Sequence, residues 1–337
     1  MKQLKTYLFL LFCCSFWTCQ EPDTNTRAFY FWKTAMKFKP SDQQLIKQLD
    51  VKQMYVRCFD VDWSFGYEDA IPISTLTYTD NKYDNEVEII PTIFIVNRVF
   101  KHLPEKDFDL LAARILKKIP FRTGIKEIQI DCDWTASTRL PYFKFLQILK
   151  GRLQETQILS VTVRLHQYRD RKLMGIPPVD RGMLMCYNVA DPKKFNTSNS
   201  ILDQKIVEQY IRGKRYPLSL DIALPIFHWG VWFRNNEFQG ILSNWGKKDA
   251  LNTKLYKAGD SNLYKVKKDQ VIRNKYLREG DFVRLDGAFE ADLDATIQLI
   301  KKRIRPRNCR ITFFDWSTAK NAKYNEFNLQ KYYKQLR

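Results

Sequence analysis

Short apolar runs recur along the chain at fairly even intervals. They are rich in β-branched and aromatic residues, which favours β-strands. Most of them are apolar throughout rather than cleanly alternating, which is typical of strands covered on both faces. The runs lie at 28–32, 53–59, 87–96, 127–134, 158–166, 182–189, 217–227 and 309–316. The pattern therefore predicts eight strands, most of them buried on both sides.

Segments with helical spacing fill most of the intervals between these runs. The segment DFDLLAARILKK, for example, repeats apolar residues at helical spacing and ends in two lysines, which favours a helix C-terminus. Eight strands alternating with helices over this length predict a (β/α)8 barrel. A doubly wound open sheet is the alternative, but it requires a Gly-rich phosphate turn after the first strand, where this chain has KTAMKFKPSD. The predicted helices are 41–49, 107–118, 141–153, 203–212, 290–304 and 325–336.

The predicted barrel domain, residues 28–337, contains one segment that does not fit the repeating pattern. Residues 235–288 follow the seventh run and combine short alternating stretches with the turn Glu279-Gly280-Asp281. This predicts a small β-hairpin insertion. Because it follows the end of a barrel strand, we expect it to hang over the C-terminal face, where barrel enzymes build their active sites.

The first 18 residues have the pattern of an export signal. Lys2 and Lys5 precede an apolar stretch that is too short to span a bilayer, and the chain turns polar directly after Cys19. The segment resembles a bacterial lipoprotein signal with Cys19 as the lipidated residue, followed by a linker over 19–27. The acidic stretch at 20–23 resembles those that send some Gram-negative lipoproteins to the cell surface. We therefore expect an exported protein that is lipid-anchored to the outer membrane or cell surface of a Gram-negative bacterium. A plain secretion signal, cut elsewhere, is the alternative.

Composition excludes several classes of function. The chain has 56 Lys and Arg against 37 Asp and Glu, a net charge of +19, but these basic residues are dispersed, so we expect no nucleic-acid partner. Only three histidines occur, and Cys58, Cys132 and Cys186 lie inside apolar runs, as small core residues do. We therefore expect no metal site and no cofactor.

The fourth run, EIQIDCDW, carries acids on one face of its strand. Gln129, Asp131 and Asp133 occupy alternate positions, so their side chains lie on the same side. The Cα atoms of such neighbours are about 6.6 Å apart. Two carboxylates that point inward at this spacing repel each other, so one stays charged and the other is held protonated. Acid-assisted cleavage of a glycosidic bond needs this arrangement. The alternative is a buried polar network that plugs the barrel, with partners among Arg57, Arg164 and Tyr187.

The chain resembles the family 18 glycoside hydrolases, the chitinase and endo-N-acetylglucosaminidase group. That family's fourth strand carries Asp-x-Asp-x-Glu, and QIDCD at 129–133 lies in register with it. MLMCYN resembles the sixth strand, which brings in a tyrosine, here Tyr187. IALPIFHWGVWF resembles the seventh strand. ITFFDWS resembles the eighth, which supplies a tryptophan to the floor of the cleft, here Trp316. The likeness covers most of 28–318.

The resemblance implies a mechanism in which the substrate's own acetamide attacks the anomeric carbon. Asp131 would stabilise that group, Asp133 would be the general acid, and Tyr187 would hold the acetamide. Two positions depart from the family pattern. Gln129 replaces the first Asp and cannot share a proton with Asp131. Asp133 replaces Glu and is shorter, and a misplacement of about 1 Å can cost a hundredfold in rate.

Aromatic residues at strand ends also fit a sugar cleft, because their faces stack on sugar rings. We expect Trp134 and Trp316 in particular to do so, with core packing as the alternative. His228 follows the seventh strand at the mouth, where substrate contact and a loop role are both open, and Asp60 follows the second strand as a partner of the acids. The predicted substrate-binding residues are Gln129, Trp134, His228, Trp229, Trp316 and Asp60.

These observations leave three hypotheses for function. The first is a surface-anchored glycoside hydrolase that acts on glycans, among them N-acetyl-hexosamine-containing ones. The second is a non-catalytic glycan-binding barrel, which the residues at 129 and 133 favour. The third is a structural lipoprotein whose barrel only docks partners, and whose cleft would be filled and lack exposed aromatic rings.

Overall fold

The computed structural model describes residues 25–78, 87–121, 124–213, 215–251, 255–257, 262–306, 308–319 and 326–336. The predicted signal and Cys19 lie outside these ranges. Within them, no helix combines the length and the apolar character needed to cross a membrane.

A closed barrel of eight parallel strands forms the centre of the molecule. The first strand pairs in parallel with both the last strand and the second, which closes the sheet. This closure confirms the predicted (β/α)8 barrel and excludes the open doubly wound sheet. The barrel strands are β1 (Thr26–Phe31), β2 (Gln53–Ser64), β3 (Glu88–Ile95), β4 (Glu127–Asp131), β5 (Ile158–Arg164), β6 (Arg181–Met185), β7 (Leu220–Pro225) and β8 (Arg310–Phe314). Each of the eight apolar runs supplies one of them.

Helices cover the outside of the barrel and bury one apolar side against it. In Phe108–Lys118 the buried residues recur at helical spacing, as Phe108, Leu111, Ala112 and Ile115. The longer helices are Pro40–Leu49, Phe108–Lys118, Arg139–Gly151, Gln204–Tyr210, Glu290–Arg303 and Glu326–Gln335. The shorter ones are Val99–His102, Glu105–Asp107, Leu165–Arg169, Arg171–Met174, Lys247–Ala250 and Trp316–Ala319. All six predicted helices are therefore confirmed, with ends shifted by a few residues.

The segment after β7 is larger than the predicted hairpin. It forms a five-stranded antiparallel sheet, ordered Glu237–Ser243, His228–Arg234, Phe282–Gly287, Leu263–Val266 and Leu255–Lys257. A separate hairpin pairs Gln270–Ile272 with Lys275–Leu277. The prediction of a small hairpin starting near 235 is thus corrected. The apolar run before it hid the boundary, because β7 ends at Pro225 and the first strand of the insertion begins at His228.

One smaller pairing extends the barrel sheet. The second half of β2, which is longer than its neighbours, pairs antiparallel with Asp69–Ile73. Ala35–Met36 pairs in parallel with Thr77–Tyr78 and forms a separate two-stranded sheet.

Alternation along β4 places its polar residues inside the barrel. Glu127, Gln129 and Asp131 are buried there, whereas Ile128 and Ile130 pack in the core between barrel and helices. The strand ends at Asp131, three residues before the end of the predicted run at 134. The prediction that the polar residues of this run share one face is confirmed within the strand itself. Cys58, Cys132 and Cys186 are buried and unpaired, as predicted for core residues.

Candidate functional site

A cavity of about 400 Å³ opens at the C-terminal mouth of the barrel, between the strand ends and the insertion. Its walls combine aromatic rings with carboxylates, amides, hydroxyls and a guanidinium group. The lining residues are Trp32, Asp131, Arg164, Met185, Tyr187, Asn188, Phe227, His228, Trp229, Ser243, Asn244, Phe314, Asp315 and Ser317. An apolar pocket with a few polar groups is the usual form of a small-molecule site.

Asp131 lies at the floor of this cavity, at the end of β4. Its Oδ1 accepts a hydrogen bond of 2.6 Å from the Thr162 hydroxyl. Burial raises the pKa of the Asp131 carboxyl to about 6. The Arg164 guanidinium opposes this rise, while the negative charge of Asp133 adds to it. Asp131 is therefore a buried acid that titrates close to neutral pH.

Asp133 is placed differently, because it follows the end of the strand. Its side chain is 49% exposed and is not part of the cavity wall. Arg164 holds it by donating from Nε to Oδ1 at 2.5 Å and from Nη2 to Oδ2 at 3.3 Å. Both carboxylate oxygens of Asp133 are therefore already acceptors of guanidinium hydrogen bonds.

Arg164 therefore connects Asp131, at the end of β4, with Asp133, which follows the strand. It lines the cavity beside Asp131 while its guanidinium binds Asp133. Although burial opposes its charge, the two carboxylates hold the pKa of Arg164 above its ordinary value. This arrangement combines the predicted acid pair with the alternative, in which Arg164 partners an acid within a polar network.

Tyr187 lines the cavity, and Gln129 lies below it. The Tyr187 hydroxyl donates to Met185 Sδ at 2.9 Å, and burial raises its pKa, so it keeps its proton as a donor. Gln129 is fully buried and its Oε1 accepts a 2.7 Å hydrogen bond from the Tyr30 hydroxyl. The prediction of substrate contact by Gln129 is corrected, because the strand's inward direction places it a layer deeper than Asp131.

The tryptophans expected to stack on sugar lie in the core. Trp134 is fully buried, stacked on Tyr142 at 5.4 Å, and its Nε1 donates to the Met174 carbonyl. Trp316 is also fully buried, edge-on to Phe29 at 5.0 Å. Neither lines the cavity. This corrects the prediction, and core packing, its alternative, accounts for both residues.

Two other tryptophans, Trp32 and Trp229, line the cavity wall. Trp32 follows β1, is partly exposed, and packs against Phe314 at 5.5 Å. Trp229, a predicted binding residue, is partly exposed and packs against Phe227 at 5.4 Å. The indole N–H of Trp229 is buried and has no hydrogen-bond partner among the described residues. A buried donor without a partner is costly, and a bound oxygen acceptor would remove that cost.

The remaining predicted residues divide between cavity and interior. His228 lines the cavity, at the start of the insertion. Asp60 is buried outside the cavity wall, where its Oδ1 accepts from Arg57 Nε at 2.6 Å. It does not reach a ligand in the cavity, but its charge contributes to the raised pKa of Asp131.

Sequence reasoning missed several polar residues of the wall. Asp315 directly follows β8, and its carboxylate accepts 2.7 Å hydrogen bonds from the Ser317 hydroxyl. Its position at the C-terminal end of a barrel strand was a usable signal. Asn244 comes from the insertion, and no feature of the sequence indicates that it returns to the mouth. Within the described ranges, no group of three or more His, Cys, Asp or Glu residues is placed to hold a metal ion.

Comparison with known proteins gives similarity in structure only. The sequence matches no protein-family model and no curated protein. Among solved structures, the spore cortex-lytic enzyme SleL of Bacillus megaterium aligns with a TM-score of 0.58 and 14% identity, over 93% of this chain and 74% of that one.

Two further solved structures are similar over most of their length. A chitinase from Bacteroides thetaiotaomicron aligns with a TM-score of 0.53 and 8% identity, over 90% of this chain and 93% of that one. The chitinase RmChi1 from Rhizomucor miehei aligns with a TM-score of 0.52 and 10% identity, over 92% and 100%. Together with the closed barrel, these similarities show that the chain has the (β/α)8 fold of chitinase-like proteins.

Proposed function

We propose that the cavity at the barrel mouth binds a glycan, of the N-acetyl-hexosamine-containing class. The observation that carries this proposal is the pairing of Trp32 and Trp229 in one wall, with the Trp229 N–H buried and unpartnered among the described residues. Aromatic faces stack on sugar rings, and the unpaired N–H offers a hydrogen bond to a sugar oxygen. The partner of the cavity is thus a sugar rather than a protein.

The polar groups of the wall fit the same ligand. Asp131 and Asp315 supply acceptors for sugar hydroxyls, and Arg164 supplies donors. The Tyr187 hydroxyl donates to Met185 Sδ and offers its oxygen as a further acceptor. A neutral sugar has many hydroxyls, each of which donates and accepts. A wall with both kinds of group, together with exposed aromatic rings, also argues against the purely structural lipoprotein.

The test is a glycan array with the purified chain, followed by calorimetric titration with N-acetylglucosamine oligomers. Trp229→Ala should weaken binding by about tenfold, since stacking contributes roughly 1 kcal/mol or more. Phe65→Ala is the matched control, because Phe65 is an aromatic residue that is 67% exposed outside the cavity. The proposal fails if no glycan binds, or if Trp229→Ala binds as tightly as the wild type.

Hydrolysis at the same site is the second candidate, favoured by the raised pKa of Asp131 beside a second acid. In this candidate Asp133 is the proton donor, Asp131 stabilises the acetamide and Tyr187 holds it. Arg164 would have to release Asp133 before any proton transfer, since it now occupies both carboxylate oxygens.

A product assay separates the two candidates. Binding without any cleavage supports the glycan-binding function. Cleavage that is lost in Asp133→Asn, with binding retained, establishes hydrolysis with Asp133 as the acid. Cleavage at the wild-type rate in that variant removes Asp133 from the mechanism.

We also propose that a lipid on Cys19 anchors the protein at the cell surface. This anchor is supported by the apolar stretch that ends in Thr18-Cys19-Gln20 and by the acidic residues that follow. Mass spectrometry of the mature N-terminus tests it. An unmodified chain that begins at another residue would refute the anchor.

A further inference from the structure

A second cavity, of about 230 Å³, lies at the opposite end of the barrel from the glycan cleft. Arg181 and Leu220 are the first residues of β6 and β7, and both line it. Another part of the wall, just before β8, is formed by Ile304, Arg305, Pro306 and Asn308. These positions are the N-terminal ends of neighbouring parallel strands, so the cavity belongs to the face remote from Asp131.

The charged groups in this wall are all positive. Arg181, Arg215 and Arg305 line the cavity, and no Asp or Glu is among the described residues that do so. The carboxylate that pairs with Arg181 is that of Asp221, which is buried and accepts several hydrogen bonds. It accepts from Arg181 Nε and Nη2, and from the backbone N–H and Nη1 of Arg310.

The buried charges behind the wall balance one another. Arg310 also pairs with Glu127 at 2.6 Å, so that two guanidinium groups face two carboxylates. Arg215 and Arg305 are exposed and have no carboxylate partner among the described residues. Two positive charges at the cavity rim are therefore uncompensated.

A neutral donor completes the wall. Tyr216 is 3% exposed and its hydroxyl has no hydrogen-bond partner among the described residues. Its ring is held by stacking on Tyr168 at 5.3 Å. Burial raises the pKa of the Tyr216 hydroxyl, which keeps the group protonated as a donor. A buried, unpaired hydroxyl in the wall of a cavity whose charged groups are all positive indicates a missing anionic acceptor.

We propose that this cavity binds a phosphate group through Arg215, Arg305 and the Tyr216 hydroxyl. Guanidinium forks match phosphate oxygens in geometry and charge, and a phenol adds a further donor. The group comes either from free phosphate or from a phospholipid headgroup, which share this chemistry. The site is separate from the glycan cleft and does not depend on the function proposed for it.

Calorimetric titration of the full chain with inorganic phosphate is the first arm of the test. The second arm is sedimentation with phosphatidylcholine vesicles, with and without phosphatidic acid. The double substitution Arg215→Gln and Arg305→Gln should weaken binding more than tenfold, to phosphate or to the vesicles, in each arm where the wild type binds. Lys247→Gln with Lys248→Gln is the control, since it removes the same charge from exposed residues of the insertion.

Tyr216→Phe separates binding from a structural role. It should weaken phosphate binding by about tenfold, because a hydrogen bond to a charged group is lost. It should not lower Tm, because the hydroxyl makes no hydrogen bond in the described chain.

Each outcome decides the proposal. Binding in the phosphate arm alone assigns the site to free phosphate, and a preference for phosphatidic acid vesicles alone assigns it to a headgroup. Binding in neither arm overturns the site. So does equal weakening by the lysine control, which would mean that net charge alone is responsible.

Discussion

Buried carboxylates have different partners at the two ends of the barrel interior. At the N-terminal end, Glu127 and Asp221 both pair with Arg310, and Asp221 accepts four hydrogen bonds. At the mouth, Asp131 is equally buried, but the hydrogen bond described for it comes from the neutral Thr162 hydroxyl. The nearby guanidinium of Arg164 is bound to Asp133 instead.

This difference separates a structural network from a site. A buried carboxylate costs free energy unless it is paired and hydrogen-bonded. In the lower network Asp221 meets that condition with four hydrogen bonds, whereas burial raises the pKa of Glu127 against the opposing charge of Arg310. Asp131 meets it only in part, as its raised pKa shows. Groups left in an unfavourable state are typical of functional sites, where a ligand completes their interactions.

The largest effect is expected at the lower end. Arg310→Met leaves Glu127 and Asp221 buried without their shared partner, so the free energy of unfolding should fall by about 3–5 kcal/mol. Urea denaturation measures it. As a control, Arg98→Met removes the ion pair between Arg98 and Asp62, whose arginine is 49% exposed, and should cost much less. Equal costs would contradict the distinction between buried and exposed pairs.

At the mouth, removing a charge should stabilise the fold. The pKa of Asp131 is about 6 in the folded chain, against about 3.9 for an unfolded one. Between these values the folded state holds the extra proton, so the free energy of unfolding falls as pH rises through that window. Asp131→Asn should therefore raise the free energy of unfolding by about 1–3 kcal/mol at pH 8.

Denaturation at several pH values checks this expectation. The gain should shrink as the pH falls toward about 4, where the wild-type Asp131 is protonated in both states. A destabilised variant at pH 8, or a gain that does not change with pH, would show that Asp131 resembles the paired acids below.

The smallest effect on stability is expected for the ion pair at the rim. Arg164→Gln removes the contact with half-exposed Asp133, and this loss by itself should change the free energy of unfolding by less than about 1 kcal/mol. The same change removes the positive charge that lowers the pKa of Asp131, so that pKa should rise above about 6. Repeating the pH series on this variant measures the shift. An unchanged pH window would mean that Arg164 does not act on Asp131.

The fold was largely predictable because burial on both faces leaves a strong signal. The apolar runs at all eight strands are long enough to be recognised without knowledge of their neighbours. The insertion was underestimated for the same reason. Its first strand, His228–Arg234, continues the apolar run of β7 almost without a break, and apolar content does not distinguish one strand from two.

The site was predictable only in outline. Alternation correctly placed Gln129 and Asp131 on the inner face, but it gives no depth along the barrel and does not show where the strand ends. Gln129 lies too deep in the barrel to line the cavity. Asp133 lies outside the cavity wall because β4 ends before it. Trp134 and Trp316 turn into the core because large rings gain more from full burial than from exposure at the rim.

The strands, the helices and the inward face of β4 could be predicted locally, because each follows from a periodicity of apolar residues. Which polar groups meet depends on the folded molecule. The partnership of Arg164 with Asp133, and the entry of Asn244 into the mouth, join residues far apart in sequence. Side-chain pairing of this kind depends on the closure of the barrel and the path of the insertion, which no local pattern encodes.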